Sequence, residues 1–367
     1  MKIVSTEPFV LKVPLKREVM DGTPHMTPID YWGMPGILIK TDEGITGTGF
    51  TGTQGGEDLI YQTLEYYGEL LAGKNPLEIR KLWDQLHWSR LNWIGRAGVV
   101  TMAHAAVDIA LWDILAQVAG LPLCDLLGRH KTDGVPVYNT NAGWLNWTPE
   151  ELVRDMGALL DEGWGALKMK VGHPDPRTDI SRVRYVRDKL GEDFRLMVDA
   201  NQAWTASAAR EFSLGVEDLN ITWFEEPCDP DDVLAHQWLA ENTRIPLALG
   251  EVVYSRSQFR EFIRSGAVQY VQADATRLSG ITEWLEVAHL AAAFGLDVIP
   301  HHGDHAQVQQ HLVAATRNAP MIEYIPWVLD VFEEPAVSHG GANLVISDRP
   351  GAGSTISEHG FRKYRVR

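Results

Sequence analysis

The sequence predicts a closed α/β barrel joined to a smaller α+β region, and three observations carry that prediction. From about residue 135 onward, short apolar strands alternate with amphipathic helical stretches, the pattern of right-handed βαβ units and a parallel sheet. Eight such strands fall within residues 135–326, which suits a closed barrel better than an open doubly wound sheet. The chain of 367 residues is long for one domain, as α/β barrels commonly are.

The first elements are of another kind. EPFVLKVPL (7–15), GILIKT (36–41) and ITGTGFTG (45–52) read as an antiparallel sheet, with DEG as the turn before the last. Residues 18–35 between the first two are polar, aromatic and rich in Gly and Pro. A loop of that length in a compact domain is disordered or functional. Helical stretches follow over 58–73, 79–91 and 98–120, the last rich in Ala, Val, Ile and Leu. The barrel strands are then 135–140, 166–172, 195–201, 221–227, 246–251, 267–274, 296–301 and 321–326. The tail over 332–367 returns to turn-rich strands and is expected to rejoin the N-terminal region.

Composition narrows the function. Hydrophobic residues make up 45% and charged residues 22%, the balance of an ordinary globular protein. A net charge of −16 argues against nucleic acid or an anionic membrane as partner. It leaves an acidic small molecule open, because a bound cation inverts the field locally. Two cysteines, Cys124 and Cys228, are too few for a disulfide framework and point to a reducing cytoplasm. The N-terminus MKIVSTEPFV has no apolar leader core, and no apolar run of about 18 residues is expected elsewhere.

The strand ends carry the chemistry. LMVDAN ends a strand in Asp199 and Asn201, ITWFEEP ends in Glu225 and Glu226, and PLALGE ends in Glu251. Twenty-six residues separate Asp199 from Glu225, and again Glu225 from Glu251. That interval is one βα unit, so the three acids are expected at one height in the C-terminal mouth, where barrel sites lie. A single strand-end acid is most often a helix cap. Three converging acids repel unless a cation sits between them, and oxygen ligands with open positions suit Mg²⁺. Glu226 is either the alternative ligand or a supporting neighbour. Lys168 and Lys170 share one face of the second strand. An inward lysine beside a metal is expected to have a lowered pKa suited to a base. Asp274 ends the sixth strand and His301-His302 the seventh, a carboxylate placed to orient a histidine. The sequence leaves open which histidine is used.

These residues resemble the enolase superfamily, and within it the mandelate racemase-like subgroup, over nearly the whole chain. Lys168-Met169-Lys170 is similar to the family's Lys-x-Lys, with Lys170 in the place of the base. Asp199, Glu225 and Glu251 resemble its Mg²⁺ ligands, and Asp274 with His301 its Asp–His dyad. Glu323 resembles its barrel-end acid, which hydrogen-bonds the substrate carboxylate or developing enolate. Asn201 and Thr140 are similar to polar substrate contacts in relatives. Residues 103–128 resemble the helix that joins cap to barrel. The resemblance implies a (β/α)7β modified TIM barrel over 129–328. It also implies an α+β capping domain formed by residues 1–128 and the returning tail, 329–367. The nearest functional neighbours are acid-sugar dehydratases, whose second strand also reads Lys-x-Lys-Val-Gly. A cytoplasmic homo-oligomer, dimer or octamer, is a family-based expectation.

The implied reaction is removal of the proton α to a carboxylate of an aldonate or aldarate, forming a metal-stabilised enediolate. Loss of the 3-hydroxyl then gives a 2-keto-3-deoxy sugar acid, with His301 as acid and Lys168 tuning Lys170. Reprotonation at C2 from the other face would give an epimerase or racemase with the same residues. Specificity is expected from His25, Tyr31 and Trp32 in the 18–35 loop and from Thr51, Thr53 and Gln54, with Glu226 and His302 near the substrate. Gly47 to Gly52 matches G-x-G-x-x-G, but the preceding hairpin and the missing parallel strand reject dinucleotide binding. Those glycines are expected to give a flexible lid. A metal-dependent hydrolase fits less well, since no histidine ligands occur on the early strands. A non-catalytic descendant of the fold conflicts with the intact constellation.

Overall fold

The computed structural model describes residues 1–341 and 343–367. The chain opens with β1 (Ile3–Val19), β2 (Ile29–Thr41) and β3 (Thr46–Phe50), antiparallel and in that order. The loop expected over 18–35 is shorter than the composition suggests. Val13 pairs with Trp32 and Pro14 with Tyr31, so cross-strand packing overrides the turn-rich sequence. Only residues 20–28 leave the sheet.

Helices Glu57–Leu71, Ile79–His87, Leu91–Ile94 and Val99–Ala119 follow. The last, contrary to expectation, contains a stretch long and apolar enough to cross a membrane, yet 78% of that stretch is buried inside the protein. It is a core helix. β3 lies directly on it: a Cβ on Gly49 would fall 1.8 Å from the Ala106 carbonyl oxygen, and one on Gly47 2.2 Å from that of Ala110. The glycines expected to loosen a lid instead let sheet and helix backbones touch.

Eight parallel strands form the barrel: β4 (Val135–Asn139), β5 (Ala166–Lys170), β6 (Arg195–Asp199), β7 (Ile221–Glu225), β8 (Leu247–Leu249), β9 (Tyr270–Val271), β10 (Asp297–Val298) and β11 (Ile322–Tyr324). Neighbours pair in chain order, β11 pairs with β4, and Glu323 N–H donates to the Pro300 carbonyl to close the ring. A helix joins each successive pair. This is the predicted (β/α)7β barrel with its cap.

The period of two along a strand then places the site. Tyr138, Ala166, Met197, Trp223, Ile299 and Met321 pack together inside the barrel. Two residues further on, the same face carries Thr140, Lys168, Asp199, Glu225, His301 and Glu323. The apolar layer plugs the barrel, and the polar layer above it forms the floor of the mouth.

After β11, β12 (Ser338–His339) and β13 (Asn343–Leu344) form a small antiparallel extension on β4. The tail then returns to the cap. Ser354 Oγ donates to the Thr48 carbonyl at 2.6 Å, and Val366 N–H donates to that of Val10 at 2.9 Å. Where strands were expected, Glu358–Tyr364 is a helix, started by Ser357 Oγ accepting the Gly360 N–H at 2.9 Å.

Candidate active site

Lys170, Asp199 and Glu225 are register partners on β5, β6 and β7. Glu251 is not level with them. Glu225 aligns with Ala248, and Glu251 stands three residues later, past the end of β8. The equal spacing in sequence therefore does not mean equal height. The side chains still converge, and Asp199, Glu225 and Glu251 bring ligand oxygens within 4.8 Å of one another.

Two lysines reach into this cluster. Lys170 Nζ is 2.5 Å from Asp199 Oδ2. Lys168 Nζ is 2.7 Å from Glu225 Oε1, 2.8 Å from Glu323 Oε1 and 3.5 Å from Asp199 Oδ2. Burial alone would lower both pKa values, but the surrounding carboxylates outweigh it and hold both lysines above the usual range. The expected lowering of Lys170 is thus not a property of the protein groups alone. Burial, and then Asp199, push Glu225 up to about 7 against the pull of Lys168. Glu226 is raised by burial, then by Glu251 and Asp199. Such crowding is relieved by positive charge.

The two adjacent histidines part company. His301 Nδ1 lies 2.7 Å from Asp274 Oδ2, and its Nε2 lies 2.9 Å from Glu251 Oε2. Asp274 is fixed by the Thr276 N–H and hydroxyl and by the Gly303 N–H. A Cβ on Gly303 would sit 2.3 Å from its Oδ2. Burial disfavours a charged His301, but Glu251 and Asp274 outweigh it and raise its pKa. His302 is lowered, first by burial, despite Glu323. Its Nδ1 is 3.1 Å from Glu323 Oε2 without the alignment of a hydrogen bond. His301 is therefore the member of the dyad.

Thr140 Oγ donates to Glu323 Oε1 at 2.5 Å, so its hydroxyl positions Glu323. Asn201 N–H donates to Asp199 Oδ1 at 2.9 Å, and its Nδ2 reaches Glu251 Oε1 at 3.5 Å. Asn201, Gln202 and Glu226 all have left-handed backbones, with φ of 43°, 67° and 40°. Strain of this kind concentrates where a site fixes side chains against local preference.

Above the floor lies a cavity of about 270 Å³. Of the expected residues, Lys170, Glu251, His301, His302, Asn201, Trp32, Thr53 and Gln54 line it. Three specificity candidates do not. His25 is exposed at the tip of the loop, and Tyr31, on β2, meets Lys12 Nζ through its hydroxyl at 3.3 Å. Thr51 is buried and donates to the Thr276 carbonyl at 2.8 Å. Sequence reasoning missed Asp21, Thr23, Trp144, Gln202 and Arg277, which all line the cavity. The Asp-Gly pair at 21–22 was the available signal for a tight turn there.

The donor set fits Mg²⁺: the converging ligand atoms are all carboxylate oxygens. Glu226 Oε1 and Asn201 Oδ1 are buried beside them without a hydrogen-bond partner among the described residues. His301, His302 and Glu323 also approach within 4.8 Å, but Asp274, Lys168 and Thr140 already engage two of them.

Known proteins share this arrangement of cap and barrel. L-talarate/galactarate dehydratase of Salmonella typhimurium is 37% identical over 354 residues, covering 95% of this chain and 88% of its own length. Arabinonate dehydratase of Saccharolobus solfataricus is 33% identical over 337 residues, covering 90% of each. The crystal structure of the Salmonella enzyme with Mg and L-lyxarohydroxamate superposes with a TM-score of 0.92 at 34% identity, over 100% of this chain and 93% of that one. Residues 151–360 match a family described as enolase C-terminal domain-like, and residues 34–128 match the mandelate racemase / muconate lactonizing enzyme N-terminal domain. The chain belongs to the enolase superfamily, in its mandelate racemase / muconate lactonizing enzyme branch.

Proposed function

We propose that the protein is a Mg²⁺-dependent sugar-acid dehydratase, a hydro-lyase that converts an aldonate or aldarate into a 2-keto-3-deoxy acid. One observation carries the reading: Lys170 and the Asp274-supported His301 both reach a cavity whose floor is a cluster of carboxylates. Relatives named for dehydration of talarate, galactarate and arabinonate support it.

Asp199, Glu225 and Glu251 would hold Mg²⁺, with Glu226 behind them. Bound there, the ion would supply the charge that makes the proton α to a carboxylate removable. Lys170 is the base at C2, once a cation takes Asp199 away from its ammonium. His301, held through Nδ1 at 2.7 Å from Asp274 Oδ2, is the acid that protonates the departing 3-hydroxyl. Lys168 and Glu323, paired at 2.8 Å, face the substrate carboxylate, and Thr140 holds Glu323 in place. Asn201, His302 and Trp32 orient the remainder. Trp32 also packs against His302 and Trp327, with ring centroids 5.8 and 5.7 Å away, which excludes water from that wall.

The same reading divides the chain into a cap of 1–128, a barrel of 129–328 and a returning segment of 329–367. It places the enzyme in the cytoplasm as a homo-oligomer, dimer or octamer, acting on a small molecule without nucleic acid or membrane. The test is a panel of aldonates and aldarates with Mg²⁺, followed for 2-keto acid and, by NMR in D₂O, for exchange at C2. Keto acid from one or a few stereoisomers is the expected result. Exchange or inversion at C2 without keto acid would replace dehydration by epimerisation.

A further inference from the structure

The two sides of the cavity differ in charge. The barrel side contributes Lys170, Glu251, Arg277 and His301, where the reacting end of a sugar acid must lie. The capping side contributes Asp21, Thr23, Trp32, Met102 and residues 53–55. Among the described residues, that side offers one carboxylate, several neutral hydrogen-bonding groups and no lysine or arginine. Arg277 does not make up the difference. Its Nε donates to the Glu251 carbonyl oxygen and its Nη2 to the Tyr254 hydroxyl at 3.5 Å, so the guanidinium is turned to the barrel side.

Asp21 cannot swing aside. A Cβ on Gly22 would lie 2.3 Å from the Ala200 carbonyl oxygen and 2.6 Å from that of Val171, so the loop backbone rests directly on the ends of β5 and β6. Met20 is held on both sides, its N–H donating to Asn146 Oδ1 at 3.1 Å and its carbonyl accepting from Leu145 N–H at 2.9 Å. Asp21 Oδ1 accepts the Thr23 N–H at 2.8 Å. Burial raises the Asp21 carboxyl while Lys170 draws it back down, and the result is a fixed carboxyl roof over a cavity whose floor takes the first carboxylate. A second carboxylate at the far end of the substrate would meet Asp21 with no lysine or arginine on the capping side to pair with. A terminal hydroxymethyl group would instead donate to Asp21 and exchange hydrogen bonds with Thr23, Thr53 and Gln54.

We propose that the substrate is an aldonate, a sugar acid with a single carboxylate, and that Asp21 makes the cavity reject the matching aldarate. This rests on reading the site as a sugar-acid dehydratase. The test uses pairs that differ only at the terminal carbon, such as galactonate with galactarate, gluconate with glucarate and arabinonate with arabinarate. For each pair, kcat/KM for keto-acid formation and the calorimetric Kd on Mg²⁺-loaded protein are measured. The expected result is a preference for the productive aldonate of about 100-fold, falling at least about tenfold in Asp21→Asn. An aldarate used or bound as well as its aldonate overturns the proposal and leaves dehydration standing. So does an aldonate preference that Asp21→Asn leaves unchanged. If no acid yields keto acid, the dehydratase reading fails, and the binding ratio in the unaltered protein still decides which tail the cavity accepts.

Discussion

Asp108 and Asp113, at the seam where the core helix meets the barrel and the tail, are as buried as Asp199 and Glu225 in the mouth. The seam satisfies its acids with neutral donors. Asp108 accepts the Thr282 N–H and hydroxyl at 2.9 and 2.7 Å, and Asp113 accepts from Thr48 N–H, Ala352 N–H and Gln117 Nε2. Burial pushes these carboxyls up to about 7 and about 6. The mouth instead packs acids against lysines and one another, leaves Glu226 Oε1 and Asn201 Oδ1 without a partner among the described residues, and bends three non-glycine residues into left-handed conformations. A completed set of hydrogen bonds joins parts of the fold; an incomplete, charged set is what a cation and a reacting carboxylate would finish.

The largest effect that separates the regions is on turnover. Lys170→Ala and His301→Asn should each lower kcat on the identified substrate by about 10³-fold or more, with the far-UV circular dichroism unchanged. Retained turnover in either would remove that residue from the proton transfers. Asp113→Ala should do the reverse. It leaves two backbone donors without their acceptor and Gln117 Nε2 with the Thr46 carbonyl alone, and should cost roughly 3 kcal/mol in urea unfolding. The specific activity of the folded fraction should stay intact, and a loss of kcat at unchanged stability would break the comparison.

Much of the mouth was legible because strand period and βα repeat act locally. An apolar residue filling the barrel at Met197 or Trp223 commits Asp199 or Glu225, two residues on, to the same interior face. What the sequence did not reveal depends on contacts between distant segments. The height of Glu251 follows from how soon β8 ends. The choice of His301 over His302 follows from the bonds that fix Asp274 and from the absent Cβ at Gly303. Asp21 reaches the cavity because Gly22 rests against Gly172, 150 residues away, with its Cα 2.9 Å from the place of a Cβ there. Tyr31 left the expected loop because β1 was long enough to pair with it.

Another effect concerns pH. Asp108 has its carboxyl raised from 3.8 to about 7 by burial, so the folded protein keeps a proton that the unfolded chain has released. That contribution to stability is fully present below about pH 4 and is lost as pH rises towards 7, on the order of 4 kcal/mol in all. In Asp108→Asn the amide can donate to Thr282 Oγ, and the stability difference from the unaltered protein should change with pH over that window. A difference independent of pH would mean that Asp108 is ionised in the fold throughout.

The most direct test of the central claim, that the mouth and not the seam is built around a cation, is thermal unfolding with and without Mg²⁺. Saturation at about 100 times Kd should add roughly 2.7 kcal/mol, a rise of several degrees in Tm. The unaltered protein and Asp108→Asn should show the same rise, and Asp199→Asn should show none. A rise that survives in Asp199→Asn, or is missing from the unaltered protein, would contradict the account.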